Sequence, residues 1–355
     1  MLCSRLDLAG GIERAVVSTA NLFAGKGNKV TLLILDETSD SFYPISGSIN
    51  IIQQPLSFGI TREGNPITRK IRLLSDVLKL RRMLKQLKPT VVITSEYPFS
   101  CATVLCGQKK RSKIISWEHH HFYELKRNNF WERMVRSAYP KLNGLVCLNE
   151  DEQKLFASFN PNRAVIPNFV AAGNSRSTLN NKTILTIARL VPVKGIDLLL
   201  QTAKLVLDKH PGWKWKLIGD GEMKAIVDDF IEKENLQDKL LLQAPVDPDI
   251  KAEYLNASMY IMSSRNECFP MTLLEAQSAG LPCISFDCDT GPRHIIIDKE
   301  NGLLVEKENP GKLAEAVSSL ILDEEKRKQM GKAAFESVQR FSPENVYALW
   351  EKIIT

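Results

Sequence analysis

The sequence predicts an α/β protein of two domains, each with a doubly wound, Rossmann-like parallel sheet covered by helices on both faces. Its 355 residues suffice for two separate hydrophobic cores. Short apolar runs rich in β-branched residues alternate with helical patterns, which is typical of buried parallel strands joined by helices. The alternation stops in a polar segment and then starts again. We therefore predict a first domain over 1–168, a linker over 169–182, a second domain over 183–341 and a C-terminal helix over 342–355.

The composition is that of an ordinary soluble protein, with 44% apolar and 25% charged residues. No apolar run approaches the ~20 residues of a membrane span, and the N-terminus has no signal-peptide pattern. The seven cysteines form no C-x-x-C pair, so neither a disulfide framework nor a cysteine zinc site is predicted. These features predict a cytoplasmic protein with buried free thiols.

The charge is unevenly distributed along the chain. Residues 1–170 contain 24 Lys and Arg against 14 Asp and Glu, a net charge of +10, and the remainder contains 23 against 27, a net charge of −4. Eight cations and a single acid, Asp76, lie between Arg69 and Lys88. The apolar residues of this segment recur at helical spacing and form one predicted stripe: Ile71, Leu74, Val77, Leu78, Leu84 and Leu87.

Two interpretations of the 69–88 segment remain open. It is either a surface helix with a solvated basic face or a basic patch that contacts anionic lipid headgroups. Nucleic acid is not expected as a partner, because no aromatic residues alternate with the basic ones and no zinc-finger spacing is present.

The first half opens with a strand, a glycine loop and a helix. The strand before the loop is confined to residues 1–8, so it is short or the true start lies upstream. Gly10 and Gly11 follow it and precede a helix that reaches about Ala24. Further buried strands are predicted at 30–35, 90–95, 113–117 and 145–148, and residues 164–168 end this half.

Three histidines, His119 to His121, directly follow Glu118 and the strand at 113–117. In an open α/β sheet, ligands bind beyond the carboxyl ends of the strands, so His119 is a candidate binding residue. A polar loop histidine without a role is the alternative. A metal site is disfavoured, because zinc ligands must be spread in space and no cysteine is near.

Two cations follow the first strand of the second half. The strand at 183–188 ends at Arg189, and Lys194 and Gly195 come shortly after. Two cations at a strand end form a candidate binding site, whereas solvated loop cations would have no such role. Later strands are predicted at 215–218, 240–246, 260–263, 283–286 and 302–305. A helix is predicted at 312–322, after the last of these strands, and the final helix is predicted to begin near residue 342 and to end at residue 354.

The segment 263–282 combines three binding features on one strand–turn–helix unit. A helix is predicted to begin near Pro270, because proline is tolerated at the first helical position. The free amides of Met271 and Thr272, together with the helix dipole, form an anion site suited to a phosphate or diphosphate. Glu275 lies on the same helix face and can accept hydrogen bonds from two ribose hydroxyls, while Glu267 lies on the loop before the helix.

Six short patterns, in this order, resemble the motifs of the family 4 retaining glycosyltransferases, which have the GT-B fold of two Rossmann-like domains facing across a cleft. One departure is Cys268, which replaces the glycine usual after the first glutamate of the last motif. The six patterns are GG-x-E-R at 10–14, E-H at 118–119, IPN at 166–168, R-x4-K-G at 189–195, GDG with a glutamate at 219–222, and E-x7-E at 267–275.

This resemblance implies transfer of a hexose from a nucleoside diphosphate sugar, expected to be UDP-linked, to a sugar hydroxyl. The expected acceptor is a glycan or lipid-linked precursor of lipopolysaccharide, capsule or exopolysaccharide, reached at the inner face of the plasma membrane. No metal or other cofactor is expected, and the D-x-D at 287–289 is expected to be unrelated to metal binding. The C-terminal helix is expected to pack back on the first domain.

The resemblance also implies roles for individual residues. Glu267 and His119 are expected to position the sugar, and Arg189 and Lys194 to hold the diphosphate, so these four are the expected catalytic residues. The implied donor-binding residues are Gly10, Gly11, Arg189, Lys194, Val246, Phe269, Met271, Thr272 and Glu275.

Two other functions remain open at this point. One is an epimerase or hydrolase of sugar nucleotides on the same fold, which would turn over the donor without an acceptor. The other is a non-catalytic two-domain binding protein, which would be indifferent to the loss of Glu267.

Overall fold

The computed structural model describes residues 1–37, 40–58, 66–107, 111–124, 127–171, 173, 175–245 and 250–355, and of residues 66–70 only the backbone. The chain forms two compact units. The first contains Met1–Pro167 together with Val346–Thr355, and the second contains Asn168–Asn345. In the described part of the chain, no helix combines the length and the apolar character needed to cross a membrane.

The first unit is built on a parallel sheet of seven described strands in the order β3-β2-β1-β4-β5-β6-β7. The direction of winding reverses between β1 and β4, which makes their carboxyl ends the expected ligand position. The central strand β1 has only two residues. The strands are β1 (Leu2–Cys3), β2 (Thr31–Ile34), β3 (Asn50–Gln53), β4 (Val91–Thr94), β5 (Lys113–Trp117), β6 (Gly144–Cys147) and β7 (Arg163–Val165).

Helices cover this sheet and bury its apolar side chains. The tryptophan of the last helix, Trp350, contacts Phe23 at 5.7 Å and Trp117 at 5.3 Å between ring centroids, so the end of the chain belongs to this unit's core. The helices are α1 (Gly11–Gly25), α2 (Pro66–Leu87), α3 (Tyr97–Leu105), α4 (Asn129–Ala138) and α5 (Glu150–Leu155), and the last helix of the chain is Pro343–Ile354.

The second unit repeats the plan with a parallel sheet of six described strands in the order β10-β9-β8-β11-β12-β13, and its winding reverses between β8 and β11. The strands are β8 (Thr183–Ile187), β9 (Lys214–Ile218), β10 (Leu240–Gln243), β11 (Met259–Met262), β12 (Cys283–Phe286) and β13 (Gly302–Val305). The helices are α6 (Ile196–Lys209), α7 (Lys224–Lys233), α8 (Lys251–Leu255), α9 (Met271–Ser278), α10 (Pro292–Ile295), α11 (Pro310–Leu322) and α12 (Glu324–Ser337).

The segment predicted as a linker, residues 169–182, lies within the second unit. Its Val170 amide donates to the Phe341 carbonyl at 3.1 Å, and its Ser177 amide donates to the Ala279 carbonyl at 2.8 Å. Leu179 is buried, and the guanidinium of Arg327 donates to its carbonyl. This segment of low hydrophobicity is therefore held to the second unit by backbone and side-chain hydrogen bonds and by one buried leucine.

Helix α2 differs from the single apolar stripe that the sequence predicted. Val77 and Leu84 of that stripe are buried, together with Leu80. The other members of the stripe, Ile71, Leu74, Leu78 and Leu87, are exposed. The predicted stripe is therefore divided between buried and exposed positions. Helical spacing alone does not show which of these residues face the core of the unit.

Candidate active site

In the second unit, the two predicted donor-binding loops follow neighbouring strands. The loop with Arg189 and Lys194 follows β8, and the loop with Glu267 follows β11. These strands pair in parallel, with Ile184 opposite Met259, so both loops emerge at the same edge of the sheet. This edge is also where the winding reverses, which is the usual ligand-binding position in such sheets.

Lys194 and Glu267 meet at this edge, although 73 residues separate them in the sequence. The Lys194 Nζ lies 2.6 Å from Glu267 Oε1, and both side chains are largely sheltered from solvent. The Ser264 hydroxyl donates to the same carboxylate oxygen at 2.7 Å. A cation able to bind phosphate and a carboxylate able to accept from a sugar hydroxyl therefore lie in direct contact.

The turn that contains Lys194 is fixed by the segment after β11. Residues Pro192–Lys194 form a 3-10 turn, and Gly195 closes it with φ +62°. A side chain at Gly195 would place its Cβ 2.0 Å from the Ser263 carbonyl oxygen, so only glycine fits. The Ser263 hydroxyl donates to the Lys194 carbonyl at 3.0 Å, which holds the lysine backbone in place.

Arg265, which the sequence analysis did not identify, completes this attachment. Its Nη1 donates to the Pro192 carbonyl at 2.7 Å, and its amide donates to the Val193 carbonyl at 2.9 Å. The guanidinium also binds both carboxylate oxygens of Asp197, at 2.8 and 2.7 Å. This hydrogen bonding lowers the pKa of the Asp197 carboxyl and raises that of Arg265.

We expect Arg265→Lys to lower kcat about 3- to 10-fold, because lysine cannot bind Asp197 and the Pro192 carbonyl in the same fork geometry. The Lys194 turn then samples other positions, while the predicted donor-binding groups on α9 remain intact. Initial rates over a range of donor concentrations measure kcat and KM separately. Arg293→Lys, which alters a surface pair with Asp287, is the matched control. An unchanged kcat for Arg265→Lys contradicts the positioning role.

The loop around Glu267 is supported by a turn that the sequence did not connect with it. Thr290 Oγ1 donates to the Glu267 carbonyl at 2.7 Å. Gly291 has φ +82°, and a Cβ there would lie 2.7 Å from the same carbonyl oxygen. Cys268, which replaces the usual glycine, is buried. Glu267 is therefore held from its backbone as well as its carboxylate.

Helix α9 begins at Met271, one residue after the Pro270 start that the sequence predicted. Pro270 is the residue before the helix, with extended backbone, and Met271 is its first helical residue. The first amides of a helix, here those of Met271 and Thr272, have no carbonyl within the helix to donate to. Phe269 is buried against Phe341 at 5.3 Å, so its side chain serves packing, and its carbonyl accepts from Asn168 at 3.1 Å.

Glu275 lies one turn further along α9 and is buried. Its Oε2 accepts a 2.7 Å hydrogen bond from the Tyr254 hydroxyl on α8, a partner that the sequence analysis missed. This bond fixes the Glu275 carboxylate one helical turn after the amides of Met271 and Thr272. Arg189 is exposed after β8, and among the described residues it has no ion-pair partner. Val246, predicted to contact the donor, lies outside the described residues.

In the first unit, Gly10 and Gly11 follow β1 as predicted. Gly10 is the N-cap of α1, and Gly11 is its first residue. A Cβ at Gly10 would lie 2.0 Å from Glu13 Oε2, so the Glu13 carboxylate closes over the bare backbone of this loop. The loop thus lies at the carboxyl end of the central strand, where the winding of this sheet reverses.

His119 follows β5 and is buried beside Trp117, with 4.1 Å between ring centroids. Burial lowers the pKa of His119 to about 3, so its imidazole is neutral at physiological pH. Its Nε2 is shielded from solvent and has no hydrogen-bond partner among the described residues. The preceding Glu118 accepts from the Tyr139 hydroxyl at 2.6 Å, and His121 pairs with Glu152.

No group of three or more His, Cys, Asp or Glu side chains within the described ranges is arranged to hold a metal ion. The acids of the 287–289 motif are engaged with cations. Asp287 pairs with Arg293 at 3.0 Å, and Asp289 pairs with Lys307 at 3.1 Å. Donor binding without a metal stays a prediction.

Comparison with known proteins agrees with this arrangement. The family profile described as "Glycosyltransferase Family 4" matches residues 9–172, and the one described as "Glycosyl transferases group 1" matches residues 172–337. The chain is 27% identical to an uncharacterized glycosyltransferase of Haemophilus influenzae, over 98% of this chain and 96% of that protein. It is 26% identical to the amylovoran biosynthesis glycosyltransferase AmsD of Erwinia amylovora, over 100% of this chain and 98% of that protein.

A solved structure shares the whole fold. The chain resembles a mutant of TarM from S. aureus, solved with fondaparinux, α-GlcNAc-glycerol and UDP, at a TM-score of 0.84 and 16% identity, over 100% of this chain and 99% of that one. The two parallel-sheet α/β units and the similarity to TarM show the GT-B fold, and the family profiles show a glycosyltransferase. The chain belongs to glycosyltransferase family 4. This membership makes the protein a glycosyltransferase.

Proposed function

We propose that this protein is a retaining hexosyltransferase that uses a UDP-sugar and a sugar hydroxyl of a cell-envelope glycan precursor, such as one for exopolysaccharide, capsule or lipopolysaccharide. The contact between Lys194 Nζ and Glu267 Oε1 is the observation that carries the proposal. A cation able to bind phosphate thus lies beside a carboxylate able to accept from a sugar hydroxyl, and that carboxylate is on the loop that precedes α9. UDP bound to TarM supports the donor class, and the amylovoran biosynthesis named for AmsD supports the acceptor class.

The proposed reaction breaks the bond between the sugar C1 and the β-phosphate oxygen while the acceptor oxygen attacks C1 on the same face. The acceptor proton passes to the departing phosphate oxygen, so no external base is needed. Lys194, Arg189 and the amides of Met271 and Thr272 stabilise the charge that grows on UDP. We propose that these groups replace a metal ion in this role.

Other residues orient the reactants. Glu275 accepts from the ribose hydroxyls, because its carboxylate is fixed by Tyr254 one turn beyond the phosphate-binding amides. Glu267 accepts from a hydroxyl of the transferred hexose. We assign the neutral His119 to the sugar as well, since its unpartnered Nε2 can donate or accept a single hydrogen bond. The bare backbone at Gly10 and Gly11 is assigned to close approach by the donor phosphate and the acceptor.

Calorimetric titration of UDP, GDP and ADP, each with excess EDTA, tests the donor site. We expect UDP to bind at least about tenfold more tightly than the other two, a difference of about 1.4 kcal/mol. Preference for GDP or ADP overturns the assignment of UDP, and binding that requires added metal overturns metal-free binding. Transfer from UDP-hexoses to lipid-linked acceptors, with the product anomer determined by NMR, then tests retention. Donor turnover without acceptor would indicate a hydrolase.

We further propose that the protein works in the cytoplasm, bound peripherally to the inner face of the plasma membrane through the segment from Arg69 to Lys88. The net charge of +10 on residues 1–170 supports this location, because the cytoplasmic leaflet is negatively charged. A lipid-linked acceptor is presented at the same surface.

A further inference from the structure

Helix α2 presents an aliphatic ridge to solvent. Ile71 is 65% exposed, Leu74 is 63% exposed and Leu78 is 53% exposed. At 100° per residue, these three positions fall within about 60° of the helix circumference. Val77, Leu80 and Leu84, which are buried, are centred about 120° further around the helix. The ridge is therefore separate from the face that holds the helix on the first unit.

Cations continue the ridge toward the C-terminal end of the helix. Arg81, Arg82 and Lys85 are exposed, and they follow the ridge by one to two turns along the same side. Asp76, the acid of this segment, is buried and accepts from the amides of Ser57 and Phe58 at 3.1 and 3.0 Å. Among the described residues, these three cations have no ion-pair partner, so the outward face is apolar at one end and basic at the other.

We propose that α2 binds an anionic lipid bilayer by insertion, with Ile71, Leu74 and Leu78 entering the headgroup–acyl boundary. Arg81, Arg82 and Lys85 then lie among the lipid phosphates. This inference rests on the membrane location proposed above, which was argued from charge alone. It adds the burial of three aliphatic side chains as a second contribution to binding. A bilayer surface offers hydrocarbon and negative charge within a few ångströms of each other, which is the pairing found on this helix.

Other partners match this face less well. A second copy of the chain would bring the same cations face to face, and their repulsion would oppose association. Nucleic acid would match the cations but would leave the three aliphatic side chains in water. The lipid surface matches both.

Co-sedimentation with vesicles of phosphatidylcholine alone or mixed with phosphatidylglycerol tests insertion. We expect the full chain to bind the anionic vesicles and to stay bound at about 0.5 M salt, where exposed charge pairs are strongly screened. The variant Ile71→Gln/Leu74→Gln/Leu78→Gln should lose at least about tenfold in binding at that salt concentration. The matched control is Leu205→Gln/Ile226→Gln, which removes two side chains of 52% exposure from helices of the second unit and should bind as the unaltered chain does.

Several outcomes would overturn the proposal. These are no retention on anionic vesicles, complete release by salt, or unaltered binding of the triple variant. Dimerisation through this face without vesicle binding, detected by light scattering, would also overturn it. An unchanged thermal unfolding midpoint excludes misfolding of the variant. Transfer to a water-soluble acceptor should be unaffected by the triple variant, so vesicle binding without any transferase activity would reject the proposed function and leave the membrane proposal standing.

Discussion

Lys194→Ala is expected to lower kcat by about 10²–10³-fold while weakening UDP binding less than tenfold. In the free protein the Lys194 ammonium is already paired with Glu267 at 2.6 Å, so part of its charge is neutralised before the donor binds. Its full contribution comes when negative charge develops on the departing diphosphate. Interactions that strengthen as the bond breaks raise kcat more than they raise affinity.

Single-turnover rates and calorimetric titration of UDP separate these two effects. Lys204→Ala is the matched control, because Lys204 pairs with Asp208 on the surface of the neighbouring helix α6. If Lys194→Ala changes neither the rate nor the affinity, the assignment of the diphosphate site to this edge of the sheet is wrong.

Glu275→Ala is expected to weaken UDP binding by about 10- to 100-fold, because two hydrogen bonds from ribose hydroxyls to a carboxylate are lost. The carboxylate is buried and oriented by the Tyr254 hydroxyl, so water cannot replace it readily. Titration of UDP and 2′-deoxy-UDP measures the effect. The unaltered protein should distinguish the two nucleotides, and the Glu275→Ala variant should not.

Tyr254→Phe provides the matched control for Glu275→Ala. It removes the same internal hydrogen bond but leaves the carboxylate in place. We expect it to weaken UDP binding only slightly and to retain discrimination against 2′-deoxy-UDP. If both variants weaken UDP and 2′-deoxy-UDP equally, Glu275 has a structural role and does not bind the ribose.

Much of the fold could be predicted from local sequence. The strands at Lys113–Trp117 and Cys283–Phe286 were predicted with the bounds that the structure has, because buried parallel strands are short, continuous and β-branched. The helix after Pro270 was also predicted, since proline and the following apolar run define its start. Loops such as 189–195 could be placed because they follow such strands.

Other features depend on contacts between distant residues. Arg265 fastens the turn before α6, Tyr254 orients Glu275 from another helix, and Thr290 holds the carbonyl of Glu267. These are ordinary polar residues whose partners lie 21 to 73 residues away, so no local spacing marks them. The buried state of Phe269 was missed for the same reason, because its partner Phe341 lies far along the chain.

The sequence by itself determined the alternation of strands and helices, the order of the motifs and the charge difference between the two halves, because each depends on neighbouring residues. The tertiary structure decided which side chains meet at the edge of the second sheet, where Lys194 reaches Glu267. It also decided which apolar residues of α2 face water, since helical spacing groups them and only packing into the core of the first unit separates Val77 and Leu84 from Ile71, Leu74 and Leu78.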